Sequence, residues 1–344
     1  MKKLMTSLLI IVLFAAAGRG EFVEVKKLSE NVLLLNTNPM YRANLIAVRS
    51  QKGLVMIDTE ISPSVMRPVK QRIEKEFGRN DWIYVINTHG HMHHAYGNCL
   101  FEGVKIIGHE NLPADMQWKV DLLKEENKQK LLEEIDSAIN NQKENLKNAN
   151  AAEKQKIERT IEFCNLIRKD VESGSEIVFP NITFSDRYNL DLNDIKIELI
   201  YFGKGHSNSD ILVYIPSEKV LVTSGVCYGR LPAIKENVTL ADIERHISVL
   251  GEFVKDGIQI NHIIPAHDES ITQKDLQNHY KYYHGMLEEI KSAKQKGLGI
   301  WQVKKNLTVK DKFPFFIKNG EEPLEEIEKK HLGNIDNLWK MIEN

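Results

Sequence analysis

Four of the chain's 12 histidines lie within six residues, in the segment 87–94. This segment reads Asn-Thr-His-Gly-His-Met-His-His and directly follows the apolar run 82–86, which predicts a β-strand. Neutral imidazole is a common zinc ligand, and His89 and His91 alternate along an extended loop, so both rings can point to one ion. The spacing therefore predicts a metal site at the end of this strand.

A metal site needs more ligands than this loop supplies, and two distant histidines stand in similar positions. His206 lies in a glycine-bearing loop after the apolar run 197–201. His267 follows the short apolar run 263–264 in the sequence Ile-Ile-Pro-Ala-His. Both come after predicted strands, so we expect the fold to bring them to the cluster that begins at His89.

Taken together, these segments resemble one known family, the metallo-β-lactamase-fold hydrolases. The signature of that family is Thr-His-X-His-X-Asp-His followed by two distant histidines. The similar stretches here are 55–59, 88–98, 205–216 and 265–267, and the resemblance covers nearly all of the chain after its first segment. It implies an αββα sandwich of the metallo-β-lactamase type, with a metal site at the edge between the two sheets.

The resemblance also implies a ligand set, carried over position by position. His89, His91 and His206 fall at the first metal site of the family, and His94 and His267 fall at its second site. The activity implied is that of an exported zinc-dependent hydrolase. Such an enzyme uses a metal-bound hydroxide to attack an ester, a lactone or a lactam, as β-lactamases do.

Two positions depart from the family pattern, and both lack an acidic side chain. His93 stands where the signature has aspartate, and Gly225 stands where the family usually has an aspartate or a cysteine. Two dications without these carboxylates would leave about two positive charges uncompensated. We therefore expect one tightly bound zinc ion and a second ion that is weakly bound or absent, with iron as the alternative metal.

Three further side chains have open roles. His93 could ligate the metal in place of the aspartate, act as the catalytic base, or point away from the site. Cys227 could supply a thiolate, although free cysteine often behaves as a small buried hydrophobe. Asp58, directly after the predicted strand 54–57, is similar to the family's aspartate that holds a ligand imidazole in one tautomer, with turn capping as the alternative.

The predicted order of elements along the chain is strands, then helices, then strands, then helices. These elements must position the residues named above. Short apolar runs separated by polar turns predict strands before residue 107 and again between 182 and 222. Between them, residues 113–173 are rich in Lys, Glu, Asn and Gln, with apolar spacing that predicts two antiparallel helices. We expect a solvated helical hairpin inserted into one metallo-β-lactamase-like domain, residues 21–344. A lid, or an element that forms a homodimer, is the alternative.

The net charge of the chain indicates its class of binding partner, and its first segment indicates its cellular location. The chain has 46 Lys+Arg and 48 Asp+Glu, a formal charge of −2, which argues against nucleic-acid binding and favours a small-molecule substrate. Lys2 and Lys3 precede the apolar run 4–17, which is shorter than the roughly 20 residues of a membrane-spanning helix. We expect residues 1–20 to be a signal peptide. The protein is then expected to be periplasmic or secreted, with no integral membrane span after cleavage.

The substrate stays open at this stage. β-Lactams, lactones, other esters, and sulfate or phosphate esters all suit a metal-activated nucleophile. A hypothesis from a different class is a catalytically degenerate member of the fold, which binds a metal or a ligand and uses the insertion for partner contacts. Histidines in helical or polar segments are predicted to lie at the surface; they are His246, His262, His279, His284 and His331.

Overall fold

The computed structural model describes residues 23–37, 43–318 and 322–343. The predicted signal peptide, residues 1–20, lies outside the described residues. The described chain forms two β-sheets that pack face to face, with helices on both outer sides. This arrangement confirms the αββα sandwich that the sequence predicted.

The first sheet, as far as the structure describes it, has seven strands in the same order in space as along the chain. They are β1 (Glu24–Lys27), β2 (Val32–Asn36), β3 (Leu45–Arg49), β4 (Leu54–Ile57), β5 (Trp82–Ile86), β6 (Lys105–His109) and β7 (Ile182–Phe184). Strands β1 to β4 pair antiparallel, whereas β4 to β7 pair parallel. The carboxyl ends of β4, β5 and β6 therefore meet at one edge of this sheet.

The second sheet has five strands within the described ranges, in the spatial order β12, β11, β10, β9, β8. They are β8 (Arg187–Asp191), β9 (Lys196–Tyr201), β10 (Ile211–Ile215), β11 (Val220–Val222) and β12 (His262–Ile264). Strands β11 and β12 are parallel, and the other pairs are antiparallel. The backbone N–H of Ile211 donates to the carbonyl of Thr88 at 3.0 Å, which ties the start of β10 to the loop after β5.

Helices cover the outer faces of both sheets. They are α1 (Pro63–Phe77), α2 (Met92–Ala95), α3 (Leu112–Leu122), α4 (Glu125–Asn148), α5 (Ala151–Ser173), α6 (Leu240–Phe253), α7 (Gln273–Gln295), α8 (Ile300–Asn306), α9 (Val309–Lys312) and α10 (Leu324–Glu343). Among the described residues, no helix combines the length and the apolar character that crossing a membrane requires.

Strand β2 shows how the layers are held together, because every one of its residues is buried. Val32 and Leu34 face the second sheet, where they join the core between the sheets. Leu33 and Leu35 alternate to the opposite face and pack in the core that α1 covers. A strand with two buried faces is continuously apolar, which explains the unbroken apolar run of this segment.

Three helices lie between β6 and β7, where the sequence predicted a helical insertion. α4 and α5 pack against each other and are joined through Ala149 and Asn150. The Asn150 side chain caps α5 by accepting from two backbone N–H groups of its first turn. The Asp170 carboxylate of α5 accepts from the N–H and the hydroxyl of Ser64, each at 2.6 Å, and so fixes α5 to the start of α1. Ile139 is the one buried residue of α4, so most of this helix faces solvent.

The prediction of surface histidines in the carboxyl-terminal helices is wrong for three of them. His246, His279 and His331 are each no more than 1% exposed. α6 and α7 pack against each other and join the core that covers the second sheet, and α10 packs on α7; these imidazoles lie in the resulting interior. His246 stacks on Phe202 with ring centres 4.2 Å apart. The ring N–H groups of His279 and His331 donate to backbone carbonyls at 2.7 Å, which meets the cost of burying them. His284, by contrast, is exposed.

Candidate metal centre

Loops at the ends of five strands meet at one edge of the sandwich. The loop 87–91 follows β5, the loop 202–210 joins β9 to β10, and the segments 223–225 and 265–268 follow β11 and β12. The backbone N–H of Thr223 donates to the carbonyl at the end of β12 at 2.8 Å, which holds the last two segments side by side. Each loop carries at least one residue of the histidine cluster or a residue in contact with it.

His89, His91 and His206 form the tightest part of the cluster. Each offers one ring nitrogen, and these three nitrogens lie within 4.8 Å of one another. The Nδ1 atom of His91 is 2.8 Å from Nε2 of His206, and the ring centres of His89 and His206 are 4.9 Å apart. Three nitrogen ligands with an open fourth position are the arrangement of a catalytic zinc site.

His89 shows most directly that the cluster fits a metal ion. Its Nδ1 atom lies 3.1 Å from Oγ1 of Thr88 and 3.2 Å from Oγ of Ser224, so the Nδ1–H tautomer has two acceptors. Its Nε2 atom is buried and has no hydrogen-bond partner. A buried nitrogen with an unused lone pair is costly unless something occupies it, and a metal ion at the three-histidine cluster would do so.

His94 and His267 form a second pair beside this triad. Their Nε2 atoms are 3.3 Å apart, and the His94 ring centre lies 4.2 Å from that of His89. The Nδ1–H of His94 donates to Oδ2 of Asp58 at 2.8 Å. This bond fixes the tautomer that leaves Nε2 of His94 free to ligate, so Asp58 has the orienting contact that the sequence analysis suggested for it.

The comparison with known protein families agrees with this geometry. The model of the metallo-beta-lactamase superfamily matches residues 40–224. The chain belongs to the metallo-beta-lactamase superfamily. Members of this superfamily bind metal ions, and the histidine cluster described above could hold one.

Two solved structures show the same fold at low sequence identity. The stereoselective inverting sec-alkylsulfatase Pisa1 from Pseudomonas sp. has a TM-score of 0.55 and 13% identity, over 92% of this chain and 50% of that one. A double mutant of the same enzyme has a TM-score of 0.57 and 14% identity, over 93% and 50%. This chain thus spans half the length of those two structures. A metallo-beta-lactamase from Pontibacter korlensis has a TM-score of 0.49 and 15% identity, over 76% and 99%.

Burial keeps the imidazoles of His89, His91, His93 and His94 uncharged at neutral pH. It lowers the pKa of His91 to about 4 and that of His93 to about 3, with neighbouring positive groups adding to the shift. The pKa values of His89 and His94 lie well below the usual range for the same reason. Only a neutral imidazole has a lone pair for a metal ion, so the site needs no proton release at neutral pH before it binds one.

Asp58 is fully buried and takes three hydrogen bonds. Besides His94, both the backbone N–H and the hydroxyl of Thr88 donate to its carboxylate, at 2.7 and 2.8 Å. Burial raises the pKa of Asp58 to about 7, and the bonds from Thr88 oppose this shift. Its backbone adopts the left-handed region with φ of 63°, which turns the chain sharply as it leaves β4.

Asp58→Asn is expected to reduce hydrolytic activity and binding of any second metal ion about 10- to 100-fold, because the amide has one acceptor oxygen where the carboxylate has two. Its NH₂ group must therefore face either the backbone N–H of Thr88 or the Nδ1–H of His94. The first ion, held by the triad, should remain. Metal titration followed by atomic absorption measures both ions. Asp136→Asn, in the helical insertion, changes the same group far from the histidines and should leave both values unchanged. Wild-type binding of a second ion by Asp58→Asn would contradict the orienting role.

His93 lies apart from the triad. It lines a cavity of about 410 Å³ together with His206 and His267, and its ring centre is 5.5 Å from that of His267. The residue that replaces the family's aspartate therefore faces the space in which a substrate would lie. Cys227 does not reach the histidines, since it is fully buried in the core that α6 and α7 cover.

Gly225 lies directly beside His206 of the histidine cluster. A Cβ atom placed on it would lie 2.2 Å from Cδ2 and 2.4 Å from Cγ of His206. The His206 ring thus occupies the space that a side chain at position 225 would need. The acidic residue that the family usually has here is incompatible with this position of His206.

The sequence analysis missed three residues that either contact the site or place a positive group near it. Ser224 lies within hydrogen-bond distance of His89, as described above. The Lys235 ammonium donates to the backbone carbonyl of His206 at 2.5 Å. Lys119, in α3, is 1% exposed, its Nζ has no hydrogen-bond partner, and burial lowers its pKa to about 7. No local pattern distinguishes these side chains, because serine and lysine are common throughout the chain.

Proposed function

We propose that the protein is a zinc-dependent hydrolase that acts on an ester, lactone or lactam. The observation that carries the proposal is the convergence of three neutral imidazoles, one with an unpartnered buried nitrogen, beside an open cavity. His89, His91 and His206 would hold the ion. A divalent ion in such a site supplies a hydroxide nucleophile at neutral pH and polarises the oxygen of the bond under attack.

The proposed metal content is one tightly bound zinc ion, with a second ion weakly bound or absent. Three nitrogen ligands suit zinc, whereas His94 and His267 alone offer the second ion two neutral ligands and no negative charge. The nearest carboxylate, Asp58, is already engaged by Thr88 and His94. Imidazole also binds iron, so elemental analysis of protein prepared without added metal decides between the two metals.

His93 is proposed as the catalytic base. Its ring lines the cavity, and its lowered pKa keeps the imidazole unprotonated at neutral pH. His206 and His267 line the same cavity. Position 93 carries an imidazole where the family signature has aspartate, so this side chain is the proposed proton acceptor.

Replacing His93 with alanine should lower kcat by about 10²- to 10⁴-fold, the usual contribution of a general base, while the tightly bound metal ion stays in place. Steady-state kinetics and metal analysis on the same preparation test both parts. His262→Ala, which removes an imidazole outside the cluster, serves as the control. Unchanged turnover and unchanged metal content in His93→Ala would show that His93 is neither base nor ligand.

The remaining parts of the proposal concern partners and location. A small molecule is the proposed substrate, because the site opens into a cavity of about 410 Å³ and the net charge is −2. Export to the periplasm or outside the cell is proposed from the basic and apolar residues of segment 1–20. The homodimer through the helical insertion stays a prediction.

The decisive experiment combines elemental analysis with a panel of chromogenic reporters. The panel contains a β-lactam, a lactone, a carboxylic ester, a phosphate ester and a sulfate ester, the last included because two similar structures are of a sec-alkylsulfatase. We expect about one zinc ion per chain and turnover of at least one reporter that a chelator abolishes. Tightly bound metal without turnover of any reporter would favour a catalytically degenerate, metal-binding member of the fold.

A further inference from the structure

Helix α3, the first helix of the insertion, contacts three segments that carry candidate metal ligands. The first contact is with the loop after β5, at Gly90, which lies between His89 and His91. A Cβ atom placed on Gly90 would lie 2.4 Å from Cβ and 3.1 Å from the carbonyl carbon of Asp115 in α3. The loop therefore lies directly against this helix, and a side chain at position 90 would separate them.

The second contact is apolar and lies beside His94. Leu112 and Met116 of α3 are fully buried, and they pack with Ala95, the residue that follows His94, in a small core of their own. The two side chains are four residues apart, so they share one face of the helix. Burial of that face holds α3 against the segment that carries His94.

The third contact is polar and reaches the loop after β9, which carries His206. Oδ2 of Asp115 accepts from the backbone N–H of Asn208 at 2.9 Å and from the hydroxyl of Ser209 at 2.7 Å. Its Oδ1 atom accepts from the side-chain amide of Asn208 at 2.6 Å. The side-chain amide of Asn111, at the start of α3, donates to the carbonyl of Asn208 at 2.9 Å. Four hydrogen bonds thus hold this loop to the helix.

A path of hydrogen bonds continues from Ser209 to His89. The backbone N–H of Ser209 donates to Oγ of Ser207 at 3.1 Å, and the Ser207 hydroxyl donates to Oδ1 of the buried Asp210 at 3.0 Å. The Ser224 hydroxyl donates to the same Oδ1 atom at 3.5 Å, and its oxygen lies 3.2 Å from Nδ1 of His89. The segment that α3 holds is therefore connected to a ring nitrogen of the triad.

We propose that Asp115 is a positioning residue for the metal site, and that α3 is the part of the insertion that holds the ligand-bearing loops together. Partners of this kind contribute about 10- to 100-fold to metal affinity, because they fix the ligand rings before the ion binds. By linkage, an ion that binds more tightly when α3 is in place must stabilise that position of α3 by the same factor. The inference rests on the metal centre of the proposed function and does not depend on hydrolysis.

Calorimetric titration of the metal-free full chain with zinc is the first test. Asp115→Ala should weaken binding of the tightly bound ion about 10- to 100-fold. Asp115→Asn should lose less, since its amide oxygen can still accept from the backbone N–H of Asn208 and the hydroxyl of Ser209. Asp121→Ala is the control, because this carboxylate of the same helix pairs with Lys124. Unchanged zinc affinity in Asp115→Ala, or an equal loss in the control, overturns the inference.

Hydrogen exchange of the wild type is the second test and needs no variant to fold. Zinc should slow amide exchange in residues 112–122, although none of the proposed ligands lies in that helix, and Asp115→Ala should lose this protection. Unchanged exchange in α3 when zinc binds overturns the inference. Zinc binding with protection of α3, but without turnover of any reporter, leaves the inference standing while the proposed hydrolase fails. A wild-type chain that binds no zinc overturns both.

Discussion

His206→Ala is expected to remove the tightly bound metal ion and, with it, the hydrolytic activity. The variant takes away one of three nitrogen ligands, the one whose Nε2 lies 2.8 Å from Nδ1 of His91. Loss of a direct ligand should weaken metal binding by more than the about 10- to 100-fold that the outer partners of ligands contribute. Elemental analysis after desalting measures the metal per chain, and a reporter hydrolysed by the wild type measures the activity.

The control for this variant is His284→Ala. It removes the same imidazole from an exposed position on α7, so any metal held nonspecifically by surface histidines would fall equally in both variants. His206 lies half-buried in a loop, and thermal unfolding of His206→Ala should stay close to that of the wild type. Retention of a full equivalent of metal by a folded His206→Ala would remove the basis for the proposed site.

The sequence predicted that the histidines converge, because the motif after β5 is local in sequence and the fold brings the distant strand ends to it. His89 and His91 stand two residues apart after an apolar strand, and His206 and His267 also follow strands. In a sandwich of two sheets with parallel pairs, strand ends of this kind come together at one edge, so residues over 170 positions apart meet without any further signal.

Other features depend on packing between distant segments, which no local pattern records. His246 and His331 look like solvated helical residues in the sequence, yet α6 turns His246 onto Phe202 and α10 turns His331 onto Tyr282 of α7. Lys119 is one of many lysines in a charged stretch, and only the position of α3 behind the loop 87–91 buries it. Asp115, one turn earlier in α3, marks that contact, since its Cβ lies 2.4 Å from where a Cβ on Gly90 would be.

Gly225 shows why a departure from a family pattern can be a requirement of this chain. Considered by itself, glycine at this position looks like the loss of an acidic metal ligand. In the structure the His206 side chain occupies the space of such a side chain, with its Cδ2, Cγ and Cβ atoms 2.2 to 2.9 Å from a hypothetical Cβ on residue 225. His206 can therefore hold its position in the triad only because residue 225 has no side chain.

Gly225→Ala is accordingly expected to reduce metal content and activity nearly as far as His206→Ala does. Gly225 does not have a positive φ, so alanine meets no backbone obstacle, and the added methyl must push the His206 ring away from His91. Overpacking of this kind costs about 1–3 kcal/mol of unfolding free energy, which chemical denaturation measures alongside elemental analysis. Gly229→Ala, in the same segment, is the control because its Cβ would meet only the flexible end of Lys318, at 3.2 Å. Gly225→Asp should also lose metal, since its Cβ makes the same clash; a gain of a second ion in that variant would show that His206 can vacate this space and that the triad does not depend on the glycine.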